Sequence, residues 1–212
     1  MFSALFLPKE RNDIMSKTKL TRKQTVVRIT VTAVMIALAF GLSYVPLWKM
    51  PFGGTVTLFS MLPIMFISIK YGVGWGLGSA FVYSWLQVLQ GEVFGWGLTP
   101  AMLVGALLLD YVVAFTVIGL AGIFRKHGPS GAIFGCLLTC LLRFTSHLIS
   151  GVVLWANYEQ FIAFGKSWVN HPWLYSVVYN GFYMLPETAL TVVGVILVFT
   201  LPQLKKFTQP EL

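Results

Sequence analysis

Six long apolar stretches, at about 25–46, 56–71, 73–91, 100–124, 130–156 and 174–202, leave this chain few ways to fold. Roughly 20 apolar residues cross a bilayer as a helix, so each stretch is expected to be a membrane-spanning helix. Only Lys70, Tyr71 and Gly72 separate the second from the third. The composition agrees: 57% of residues are hydrophobic, 10% are charged and the mean hydropathy is +0.78, whereas a soluble domain is nearer a quarter charged. The fold class expected is all-α, a polytopic integral membrane protein built as a six-transmembrane-helix bundle over residues 21–207. An N-terminal extension (1–20) and a short tail (208–212) lie outside it.

The extension begins MFSALFLPKERNDI. It lacks a basic residue ahead of its apolar patch and has charges where a small-residue cleavage site belongs, so it does not read as a signal peptide. Met15 opens a second plausible start. Lys and Arg flanking helix ends stay on the cytoplasmic side. Lys17, Lys19, Arg22, Lys23 and Arg28 precede the first helix, Lys70 follows the second, Arg125 and Lys126 the fourth, and Lys205 and Lys206 the sixth. The opposite side carries only Lys49 and Lys166. Both termini are therefore expected inside. The net charge of +8 is topological bias rather than a nucleic-acid footprint.

Within the fourth stretch, the run LLLDYVVAF places Asp110 where hydrocarbon would surround it. A charge at bilayer depth costs about 3 to more than 10 kcal/mol, so such a residue faces a bundle interior or a cavity and carries function. The natural guest of a buried carboxylate is a cation.

In the fifth stretch His147, Gly151 and Trp155 recur every four residues and share one helical face. Gly151 leaves a gap between an imidazole and an indole through which a flat ligand could reach the backbone. Counted inward from the outer ends, Asp110, His147 and Asn180 fall in the same half of the membrane. With Tyr111, Trp155, Tyr175 and Tyr179 they would suit an aromatic organic cation, held by charge and by cation–π attraction of about 0.5–2 kcal/mol.

Other motifs carry less. Cys136 and Cys140, one turn apart, are too few to bind metal and read as reduced packing residues. Gly165, Lys166 and Ser167 spell the end of a phosphate-binding loop, but Gln160 stands where its first glycine belongs. Gly72, Gly74, Gly76 and Gly78 read as a ridge for tight packing within the bundle. Ala33, Ala37 and Gly41 form another smooth ridge that permits close helix approach in lipid.

Taken in order, the Ala33-x-x-x-Ala37 pattern, GGTVTLFSMLPIMFISIKYG at 53–72, LLDYVVAFTVIGLAGIFRK at 108–126, RFTSHLISGVVLWANY at 143–158 and YSVVYNGFYMLPE at 175–187 resemble the thiamine-specific S component (ThiT/YuaJ family) of energy-coupling factor (ECF) transporters. The resemblance covers nearly all the chain from about residue 20. It implies a thiamine-binding membrane subunit without catalysis, which takes vitamin from outside a bacterial plasma membrane. It also implies partners, namely a transmembrane scaffold (T) subunit and two cytoplasmic ATPases that use the ATP. No cofactor or metal is expected in this chain.

By matching positions, the resemblance assigns substrate binding to Asp110, Tyr111, His147, Gly151, Trp155, Tyr175 and Asn180, and scaffold docking to Ala33 and Ala37. Some relatives have Glu at the position of Asp110. Some place an aromatic contact where this chain reads Gly53-Gly54, and the connection GEVFGWGLTP is longer here, leaving Glu92, Phe94 and Trp96 as either lid residues or exposed loop. The runner-up is an S component of the same superfamily for another vitamin or a thiamine precursor. A different class, an intramembrane enzyme using Asp110 and His147 as acid–base partners, lacks a nucleophile and a second catalytic carboxylate.

One further expectation comes from spacing alone. Arg143, four residues inward of His147, and Glu187, seven inward of Asn180, reach similar depth on adjacent antiparallel helices and are expected to form an ion pair beneath the pocket.

Overall fold

The computed structural model describes residues 20–50, 53–155, 162–168, 170–208 and 211; the N-terminal extension lies almost entirely outside this range. Helix α1 (Arg22–Ser43) starts at a capping box, in which the Thr21 hydroxyl accepts from the Gln24 backbone N–H and the Gln24 side chain accepts from the Thr21 N–H. It is apolar on every face, yet only Ala39 and Ser43 are buried. Such a helix belongs in lipid or against a partner.

After α1 the chain makes a hairpin of β1 (Pro46–Lys49) and β2 (Thr55–Thr57), paired antiparallel with Lys49 opposite Thr55 and an irregularity between Pro46 and Trp48. The second apolar stretch is thus not helical from its beginning. Phe59 sits at φ 59°, a conformation no helix tolerates, and Pro63 opens the first turn of α2 (Leu62–Tyr71). At about 1.5 Å per residue α2 is about 15 Å long, half the hydrocarbon thickness. It nonetheless lies at the centre of the bundle, with Ile64, Met65 and Ile67 wholly buried.

Gly72, at φ 100°, turns the chain into α3 (Val73–Gln90). Of the predicted glycine ridge, only Gly76 makes an intimate helix contact: a Cβ there would meet Ser68 and the Gly119 carbonyl, whereas Gly74 and Gly78 face open space. A 3₁₀ turn (Glu92–Gly95) leads to α4, which starts at Pro100 under the Thr99 cap. Helix α4 widens into a π segment over Leu107–Val113, returns to α-geometry at Ala114–Thr116 and tightens to 3₁₀ over Val117–His127. Helix α5 (Gly128–Ser150) also ends in a π segment, Gly151–Trp155.

A small hairpin of β3 (Ile162–Ala163) and β4 (Lys166–Ser167) follows, its turn formed by Phe164 and Gly165 at φ 55° and 71°. The Gly-Lys-Ser triplet is therefore hairpin-turn chemistry. Helix α6 (Pro172–Thr200) carries Pro186 internally, and the short α7 (Pro202–Thr208) closes the chain.

The largest core joins α2 to α1, α3, α4, α5 and α6 through residues such as Met61, Ile64, Tyr83, Ile118, Cys136 and Val195. Both cysteines are free and buried, as packing residues would be. At one end of the bundle, Arg28 Nε meets a Glu211 carboxylate oxygen at 2.9 Å, Lys70 lies 3.9 Å from the other, and Arg125 donates to the Glu211 and Lys70 carbonyls. Three basic residues assigned from sequence to one side of the membrane thus gather at one end. The large apolar side chains left on the outside, Val26, Val34, Leu38, Phe134, Leu141 and Leu185 among them, make the molecule a membrane protein.

Candidate functional site

The two π segments face each other, and the site lies between them. An i→i+5 turn inserts an extra residue and re-aims the side chains around it, which is why π segments concentrate at functional sites. The α4 segment turns Asp110 toward α5, and there the carboxylate accepts three hydrogen bonds. One Oδ lies 2.9 Å from His147 Nδ1; the other accepts from the Ser150 hydroxyl at 2.6 Å and the Trp155 indole Nε1 at 3.0 Å. The indole also donates to Ser150 Oγ at 3.1 Å. With Nδ1 donating, His147 presents Nε2 as an acceptor, and that atom is buried without a partner.

A cavity of about 300 Å³ opens beside this cluster. All seven substrate-binding residues expected from sequence line it: Asp110, Tyr111, His147, Gly151, Trp155, Tyr175 and Asn180. Tyr175 and Tyr179 stack with centroids 5.9 Å apart and planes 14° from parallel. Asn180 Nδ2 donates to the Ser176 and His147 carbonyls and its oxygen accepts from Tyr183. Tyr111 stacks on Phe115.

Gly151 has a packing role besides lining the cavity. A Cβ there would overlap the Ser176 hydroxyl and lie 3.4 Å from Asn180 Nδ2, so its missing side chain admits the close approach of α6. Of the loop residues, Trp96 lines the cavity, standing edge-on to Trp155 at 5.5 Å and covering Gly53. Trp96 thus places an aromatic ring over Gly53, where this chain has no aromatic side chain of its own. Phe94 is exposed and does not line the cavity; the Glu92 side chain lies outside the described residues.

The expected Arg143–Glu187 pair does not form. Both residues are buried and line the cavity, but both Glu187 oxygens are taken by Thr57, one by its backbone N–H at 2.7 Å and one by its hydroxyl at 2.9 Å. Arg143 instead lies 4.6 Å over the Phe115 ring and donates to Met61 Sδ. The hairpin strand β2, which sequence reading treated as helix, supplies Thr57 and intercepts the carboxylate.

Sequence reasoning also missed Ser150, a residue type too common in apolar helices to stand out, and Gln87 on α3, whose amide nitrogen is buried beside the cavity without a partner. Gln87 did carry a signal, being a strongly polar residue in a membrane helix. Among the described residues no group of three His, Cys, Asp or Glu side chains is placed to hold a metal.

The chain matches the family model described as thiamine transporter protein (Thia_YuaJ) over residues 29–207. It is 32% identical over 202 residues to the thiamine transporter ThiT of Bacillus subtilis (strain 168), spanning 88% of this chain and 98% of that one. It is 31% identical over 196 residues to the thiamine transporter ThiT of Lacticaseibacillus paracasei, spanning 86% and 91%. A solved structure of ThiT from Listeria monocytogenes shares the fold with a TM-score of 0.64 at 24% identity, over 85% of this chain and 97% of that one. With a matching model over most of its length and relatives aligned nearly end to end, the chain belongs to the thiamine transporter (Thia_YuaJ) family.

Proposed function

We propose that this protein is the high-affinity thiamine-binding S component of an ECF importer in a bacterial plasma membrane. The family is one of transporters, not enzymes. The observation that carries the reading is the cavity itself: a carboxylate sunk in the membrane-spanning helices faces it, with indole, imidazole and phenol rings around it. Such a site suits a flat organic cation small enough for about 300 Å³. The cationic ring lies by Asp110, His147 and Trp155, and the second, uncharged ring reaches toward Tyr175, Tyr179 and Asn180.

Both termini lie on the cytoplasmic side, following the basic residues around Arg28, Lys70 and Arg125. The exposed face of α1, where Ala33, Ala37 and Gly41 offer a smooth ridge, meets a transmembrane scaffold subunit. Two cytoplasmic ATPases complete the importer and consume the ATP.

Isothermal titration of the purified protein with thiamine tests the site. Trp155→Ala and Asp110→Ala should each weaken binding while the protein remains folded. Unchanged affinity in both variants would defeat the assignment.

A further inference from the structure

The inner end of the cavity holds a second charged group that the cation-binding cluster does not use. Arg143 is 7% exposed and lines the cavity. A guanidinium has five N–H donors. Here one donates to a thioether, Met61 Sδ at 3.0 Å, a weak acceptor, and the buried Nε donates to nothing. Among the described residues no carboxylate lies within 4 Å of it, since the ion pairs there involve Arg28, Lys70 and His147 only. A buried donor left unmade costs free energy, so the cavity is short of an acceptor at this depth.

We propose that Arg143 reads an uncharged oxygen on the inward end of the ligand, which, on the thiamine reading above, is the hydroxyl of the two-carbon arm carried by the cationic ring. The reach is right: Arg143 is four residues, or about 6 Å along the helix axis, inward of His147, and a hydroxyethyl arm spans most of that distance from a ring held at Asp110. The charge is right as well. Glu187, 2% exposed, lines the same cavity and offsets the guanidinium, so this end has no net positive charge to favour a phosphate. It offers a hydrogen bond to a neutral acceptor. Arg143 therefore sets which arm the ligand carries, while Asp110 sets its charge.

The test compares thiamine with an analogue bearing an ethyl in place of the hydroxyethyl arm, titrated into the purified wild-type protein and into Arg143→Lys, which keeps the charge but loses the guanidinium fork. The wild type should prefer thiamine by about tenfold or more, as befits a hydrogen bond to a charged donor. Arg143→Lys should bring that ratio close to one, through weaker thiamine binding with the ethyl analogue little changed. A wild-type ratio near one overturns the proposal without need of any variant, and so does a variant that weakens both ligands equally, which is the mark of a structural role. Thiamine monophosphate binding more tightly than thiamine would overturn the assignment of a neutral acceptor. Failure of the wild type to bind thiamine at all would instead remove the thiamine reading.

Discussion

Replacing Asp110 with asparagine isolates the charge of the site from its shape. The amide oxygen can take the place of the Oδ that accepts from Ser150 at 2.6 Å and Trp155 at 3.0 Å. The amide nitrogen can take the other position and donate to His147 Nδ1, provided the imidazole shifts its proton to Nε2. The contacts to His147 Nδ1, Ser150 and Trp155 all keep a partner, so the placement of Trp155 should survive, while the proton moved to the buried and unpartnered His147 Nε2 should lower the melting temperature without unfolding the protein. What disappears is attraction for a cation. With the ligand charge about 5 Å from the carboxylate and an effective dielectric constant of about 20, Coulomb's law gives about 3 kcal/mol. That corresponds to a loss of about two orders of magnitude in affinity. Isothermal titration with thiamine measures the loss, and a thermal unfolding curve of the same preparation checks the fold. An analogue whose cationic ring is replaced by an uncharged ring of the same shape should bind wild type and Asp110→Asn alike. Thiamine affinity within about threefold of wild type in a folded Asp110→Asn protein would refute the charge argument, because the other carboxylate lining the cavity among the described residues, Glu187, has both oxygens engaged by Thr57.

Two other substitutions probe the support around the site. Gly151→Ala places a methyl against the Ser176 hydroxyl and should cost about 1–3 kcal/mol of stability by overpacking, with thiamine binding weakened as Asn180 shifts; an unchanged melting temperature and affinity would show that α5 and α6 yield there freely. Glu187→Ala strands the buried Thr57 N–H and should destabilise by about 1–3 kcal/mol, whereas Glu187→Gln keeps an acceptor for it and should cost less; equal melting temperatures for the two variants would argue against the Thr57 contact.

Much of the site was legible because polar residues are scarce in the membrane-spanning stretches, so each one that occurs there announces a reason. Asp110, His147 and Asn180 stood out against an apolar background, and their depth along separate helices already placed them together. The indole of Trp155 reached its place by a route that four-residue spacing does not describe, because the turn before it is π-helical. Helix width is a matter of backbone hydrogen bonding and leaves little mark on composition. The same holds for the hairpin: Val56 and Thr57 extend an apolar run, and only the positive φ of Phe59 reveals that the chain has not yet begun its helix. From that one difference came the misplaced partner of Glu187, since the extended strand carries the Thr57 N–H and hydroxyl onto both oxygens of a carboxylate on α6.

The wide turn of α4 makes the register of this helix unusually fragile. Each residue of an ordinary helix advances by about 100° around the axis, and the wide turn over Leu107–Val113 absorbs an extra one, so letting that turn relax to regular geometry with every residue kept would swing the two halves of α4 relative to one another by about that angle. The halves could no longer both keep their present faces: either the lower half loses its seat against Ser68 and Gly76, or the carboxylate is carried round toward the acyl chains. A chain of unchanged composition would then be unable to keep its carboxylate beside His147, which makes the width of this turn, as much as its lettering, part of the candidate site.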